Sequence, residues 1–146
     1  LKYQAALSAN SFIEYVLKDN LSFKPQDETK VTFAPTLKRE DGLLDFSNMR
    51  TSDIKNKVRA FNPWPGTYCF LGKKRLKVFS LENHPKQLKA GETCIETNEL
   101  LVGCLDSTLR LKEVQLEGKK RGPDIDLING YKNNKDSVTI NSEGVQ

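Results

Sequence analysis

The chain has 146 residues, enough for one compact domain with flanking segments rather than two full domains. Hydrophobic residues make up 37% of it, so a small core with much exposed connecting chain is expected. Lys and Arg number 23 against 19 for Asp and Glu, and the net charge of +4 is too small to imply a polyanion partner without a particular arrangement of those charges.

The three cysteines, Cys69, Cys94 and Cys104, are spaced too widely for a metal site built on CxxC pairs. Their odd number argues against a closed disulfide framework and for a reducing compartment. No apolar run approaches the ~18 residues of a membrane span, and no signal peptide is evident, so no membrane association is expected. The sequence starts at Leu1 without an initiator methionine, inside a helical pattern, and is read as a piece of something larger.

From Leu1 to Lys18, apolar Ala5, Ala9, Phe12, Ile13, Val16 and Leu17 approximate a 3.6-residue stripe, with a stop at Asp19-Asn20. A helix of that length is marginal alone, so the stripe is expected to pack on a preceding domain. Residues 21–46 lose periodicity. Pro25 and Pro35 disfavour helix before them, and the segment reads as an extended linker.

Thr51 to Phe61 forms a short predicted helix, capped by Thr51 or Ser52, with Ile54, Val58 and Phe61 on one face. Pro63 stops it. The sequence Phe61-Asn62-Pro63-Trp64-Pro65 then makes a corner into the first strand. Trp64 is read as packed into that corner, and stacking of Trp64, Tyr68 and Phe70 on nucleobases is the alternative use.

Strands follow at Thr67 to Leu71 and Leu76 to Leu81, a hairpin turning at Gly72-Lys73-Lys74-Arg75. Thr93 to Thr97 and Leu100 to Cys104 flank Asn98-Glu99. Leu109, Leu111, Val114 and Leu116 mark a strand of imperfect alternation after Asp106-Ser107. A helix from Asp124 to Gly130 and a polar tail from Lys132 close the chain. Frequent short strands with turns predict a mainly β fold, a small barrel or sandwich.

Nothing in this inventory predicts catalysis. His84 is read as a solvated loop histidine, and Asp27-Glu28, Glu40-Asp41 and Asp124/Asp126 as solvated acids. The cysteines are read as buried strand thiols. No phosphate-binding glycine loop and no metal-ligand spacing is present. The basic clusters are more informative: Lys73, Lys74, Arg75 and Lys77 at the hairpin, Lys119, Lys120 and Arg121 in a loop, and Lys38 and Arg39 in the linker, with Arg59 beside the corner. If hairpin and loop meet on one face of a barrel, they form a patch able to track phosphates.

Arg59-Ala60-Phe61-Asn62-Pro63-Trp64-Pro65-Gly66 after an amphipathic helix, then a basic hairpin and Glu117-Gly118-Lys119-Lys120-Arg121, resembles the C-terminal domain of bacterial methionyl-tRNA formyltransferases. Pro25-Gln26-Asp27-Glu28, Ala34-Pro35 and Glu40-Asp41-Gly42 resemble that family's interdomain segment, with Phe46 where tryptophan is more usual. The resemblance spans about Ala5 to Tyr131. It implies an OB-like Greek-key barrel with short flanking helices over residues 47–134, preceded by a linker over 21–46, with a polar tail from 135. Residues 1–20 would be the last helix of a Rossmann-like catalytic domain absent from this chain.

The resemblance further implies a cytoplasmic, monomeric parent that moves formyl from 10-formyltetrahydrofolate to the amino group of methionyl initiator tRNA. The present chain would bind no cofactor and would help position the tRNA through its basic clusters. The rival expectation is a structural domain of a related formyltransferase acting on a sugar nucleotide or another small molecule.

Overall fold

A computed structural model describes residues 2–18, 24–132 and 140–141. They fall into two compact units, residues 1–35 and 36–146. In the first, helix α1 (Lys2–Leu17) presents Phe12, Ile13 and Leu17 to solvent. Beyond it, Asp27 accepts hydrogen bonds from the Thr29 amide (3.1 Å) and hydroxyl (2.6 Å), closing a single 3-10 turn at Glu28–Lys30. The polar tail expected from residue 135 lies outside the described residues apart from positions 140–141.

The second unit carries the core. Helix α2 (Thr51–Ala60) buries Ile54 and Val58, one turn apart, against the sheet. Its strands are β1 (Thr67–Leu71), β2 (Lys74–His84), β3 (Thr93–Glu96), β4 (Glu99–Gly103), β5 (Thr108–Leu116), β6 (Gly122–Pro123) and β7 (Ile140–Asn141). Helix α3 (Asp124–Lys132) packs on β4 and β5. It continues two residues beyond Gly130, which is therefore not the stop that the sequence suggested.

All strand pairings in the ladder are antiparallel, in the order β3-β4-β5-β2-β1-β7, with β6 beside β5. Three consecutive strands, β3 to β5, stand next to β2, which is the Greek-key arrangement. The two ends of this ladder also meet: the Ile140 amide on β7 donates to Thr93 Oγ1 on β3 at 3.1 Å. Closure thus rests on a side-chain bond, which limits the exposed strand edges.

The imperfect alternation of β5 has a local cause. Val78 pairs with Val114, Ser80 with Glu113 and Leu81 with Leu111, so Phe79 and Lys112 each lack an opposite residue. The extra residue on β5, Lys112, shifts that strand's inward set from Leu109 and Leu111 to Val114 and Leu116. The core beneath includes Leu71, Leu76, Val78, Leu100, Val102 and Ile128. Cys69 is fully buried there, and burial pushes its thiol up to about 12.

Further sequence readings need correction. Leu44 and Phe46, assigned to the linker, are core residues at 0% and 3% exposure. The Leu44 amide donates to the Tyr68 carbonyl at 2.7 Å, and Lys57 Nζ donates to the Leu43 carbonyl at 2.8 Å, so this segment is fastened to β1 and α2. Gly42 is needed at the approach, because a Cβ there would collide with the Gly66 carbonyl.

Helix α2 is capped from elsewhere. Arg50 at its N-cap makes no side-chain capping bond, and Asp106 accepts from the Thr51 amide at 2.8 Å and hydroxyl at 3.2 Å. Trp64 is not packed into the corner but 57% exposed. His84 ends β2 half-buried, its Nδ1 accepting from the Lys86 amide (3.2 Å) and its Nε2 lying 3.3 Å from Glu99.

Candidate nucleic-acid interface

The hairpin of β1 and β2 divides its cations between two surfaces, because successive side chains on a strand point to opposite faces. Leu76 and Val78 turn inward, which sends Arg75 and Lys77 outward onto the sheet's solvent face. Lys73 and Lys74, at the turn itself, line a groove of about 740 Å³. Its other walls carry Lys119, Lys120 and Arg121 from the loop after β5, and Asp126, Leu127 and Tyr131 from α3. The floor is apolar, formed by Leu71, Val114 and Leu116.

The loop is held against the hairpin by one backbone bond and one to a side chain. The Glu117 amide donates to the Arg75 carbonyl at 2.9 Å, and the Arg75 amide donates to Glu117 Oε2 at 3.2 Å. Gln115 Nε2 donates to the Lys119 carbonyl at 2.9 Å. Hairpin and loop therefore meet on one face, as a phosphate-tracking patch requires.

Five expected cations reach this groove, and their charges are not equivalent. Among the described residues, no carboxylate lies within ion-pairing distance of Lys73, Lys74, Lys119 or Lys120. Arg121 instead grips Glu113 through two bonds of 2.8 and 2.6 Å and lies 4.1 Å over the Phe79 ring. Its guanidinium holds the Glu113 carboxyl below the usual carboxylate range.

Arg75 and Lys77 line a second surface with Tyr68, Phe70 and Phe79. Tyr68 and Phe70 meet edge to face, 5.8 Å between centroids at 89°, and the Arg75 guanidinium lies 4.2 Å over Tyr68. Arg39 joins this surface, whereas Lys38 lines neither groove. Arg59 stays on the outside of α2, donating to Asn56 Oδ1 at 3.0 Å.

One polar cluster escaped the sequence reading. Asp124, expected in solvent, is 1% exposed. It accepts from Arg110 Nε at 2.8 Å, Arg110 Nη2 at 3.1 Å and the Leu100 amide at 3.2 Å. Arg110 also pairs with Glu99 and Glu82, and the Asp124 bond raises its pKa above the ordinary guanidinium value. This seam anchors the start of α3 to β4 and β5. None of its four side chains lines either basic groove. Among the described residues no group of His, Cys, Asp and Glu could hold a metal ion.

Residues 36–132 match the family model described as "Formyl transferase, C-terminal domain". The chain belongs to that family. It is 35% identical over 133 residues to the methionyl-tRNA formyltransferase of Geobacter sulfurreducens, covering 90% of this chain and 42% of that protein. The methionyl-tRNA formyltransferase of Koribacter versatilis is 43% identical over 111 residues, covering 75% of this chain and 35% of that protein. The chain thus spans well under half the length of these curated relatives.

Among solved structures, HypX from Aquifex aeolicus in complex with tetrahydrofolic acid superposes with a TM-score of 0.58 at 17% identity, over 90% of this chain and 23% of that one. At that identity the likeness concerns the fold, and it agrees with the mainly β barrel expected from the sequence. No helix among the described residues is long and apolar enough to cross a membrane.

Proposed function

We propose that this chain is the tRNA-positioning, C-terminal part of a methionyl-tRNA formyltransferase. Formyl transfer from 10-formyltetrahydrofolate to the amino group of methionyl initiator tRNA belongs to a separate catalytic domain of the same monomeric, cytoplasmic enzyme. The observation that carries the reading is the gathering of Lys73, Lys74, Lys119 and Lys120 around one groove without ion-pair partners among the described residues. Lysines that already face carboxylates must give up those partners to bind phosphate, and among the described residues these four have none to give up. Each cation that meets a phosphate displaces a condensed counterion, so binding should weaken steeply with salt.

In the full-length enzyme, Lys119→Gln with Lys120→Gln should lower initiator-tRNA affinity and flatten the log affinity against log salt plot by roughly one to two units. The chemical step at saturating tRNA should remain. Unchanged affinity and slope would remove the lysine groove from the interface. Formylation of a sugar nucleotide alone, with no tRNA accepted, would replace the reading with a structural role in a small-molecule formyltransferase.

A further inference from the structure

The only tryptophan of the chain is its largest apolar side chain, and a small core would gain much from burying it. Trp64 is nevertheless 57% exposed. The backbone beneath it is fastened: Pro63 and Pro65 restrict φ on either side, and the Gly66 amide donates to the Phe61 carbonyl at 2.8 Å. An exposed aromatic on a restrained turn loses little conformational entropy when it meets a ligand.

Trp64 lines a groove of about 370 Å³ together with Tyr68, Arg75, Lys77, Phe79 and Arg39. Among the described residues no carboxylate lines it. A flat aromatic surface beside several cations is the combination that single-stranded nucleic-acid sites use, with stacking for the base and positive charge for the backbone. A double helix needs only the charge, because its bases are already stacked inside. The lysine groove can therefore serve paired RNA, while the Trp64 groove suits an unpaired residue.

We propose that the Trp64 groove takes one unpaired nucleotide of RNA, its base stacked on the indole and its phosphate held by Arg75 and Lys77. This inference rests on the reading of the domain as an RNA binder and adds a site chemically distinct from the lysine rim. Recognition is tolerant of base identity, since every base offers a π-face.

Trp64 is its own reporter, because no other tryptophan contributes to the emission. The full chain is titrated with single-stranded oligouridylate and, separately, with a blunt adenylate–uridylate RNA duplex. Oligouridylate should quench Trp64 to saturation, whereas the duplex should bind with little quenching. Labelled oligouridylate should bind Trp64→Leu about tenfold or more weakly, and Trp64→Phe should recover most of the loss.

Lys119→Gln with Lys120→Gln should weaken the duplex and spare the quenching by oligouridylate. Duplex binding that depends on those lysines, with no quenching by the single strand, overturns the Trp64 site and leaves the RNA-binding reading standing. Failure to bind either RNA overturns both. Blue-shifted emission that acrylamide does not quench in the absence of RNA also overturns the site, since the indole is then covered by protein.

Discussion

The Arg110 seam and the lysine groove are both built on basic side chains and reach opposite ends. In the seam, Arg110 meets Asp124, Glu99 and Glu82, and the acid at its centre is almost wholly buried. In the groove, four lysines converge and, among the described residues, none is ion-paired, although Asp126 lines the same wall. The difference shows that a cation's role is read from its partners rather than from its place in a charged run. Arg121 makes the point within one triplet, since it is paired and stacked beside two lysines that, among the described residues, are neither.

Substitutions can break this comparison, and the largest effect is expected in the seam. Asp124→Ala leaves Arg110 without its main partner and the Leu100 amide without an acceptor, and should cost about 3 kcal/mol in denaturant unfolding. The same variant should keep the salt dependence of tRNA binding, because it touches no groove lysine. A stable variant with altered salt slope would mean that seam and groove are not separate.

A smaller effect is expected at Asp106, whose carboxyl is held below its usual range first by the Thr51 amide. A depressed pKa gives stability that is full above the unfolded carboxyl value and is lost as pH falls through the folded one. Asp106→Asn should therefore unfold at a lower temperature than the parent at neutral pH, and the two should converge in acid. Thermal melts across pH 2–7 test this. The variant should not alter tRNA binding.

The smallest structural effect is expected for Lys120→Gln, whose melting temperature should match the parent, as for most surface changes. Its tRNA affinity should nonetheless fall further than that of Arg121→Gln. Equal losses in affinity would show that the Glu113 pair opens on binding and that Arg121 joins the groove. A larger loss for Arg121→Gln would reverse the ranking of partners against position on which the comparison stands.

Much of the fold was legible because strands and turns are local. Alternating Leu76 and Val78, the Gly72-Lys73 turn and the Ile54–Val58 face each declare themselves within a few residues. The bulges at Phe79 and Lys112 did not, since each exists only in the register with the other strand. Asp124 looked like a solvated acid for the same reason: its partner Arg110 is 14 residues away and on another element. The basic groove was half legible. The lysine runs were visible, but the split of the hairpin into Lys73/Lys74 on one face and Arg75/Lys77 on another depends on where the sheet turns its core side. Trp64 misled because size and hydrophobicity favour burial, and only the folded turn shows it outside.

The docking of residues 42–46 has a practical meaning for anyone dissecting the protein. Leu44 and Phe46 belong to the barrel's interior although they precede every strand and α2. A fragment beginning at Ser47, where the linker seemed to end, would open two holes in the core and strip a neighbour from the Tyr68 carbonyl. One beginning at Thr36 keeps those contacts and cuts where the two compact units divide. The true seam in the polypeptide thus lies eleven residues earlier than position 47, where the sequence pattern placed the end of the linker.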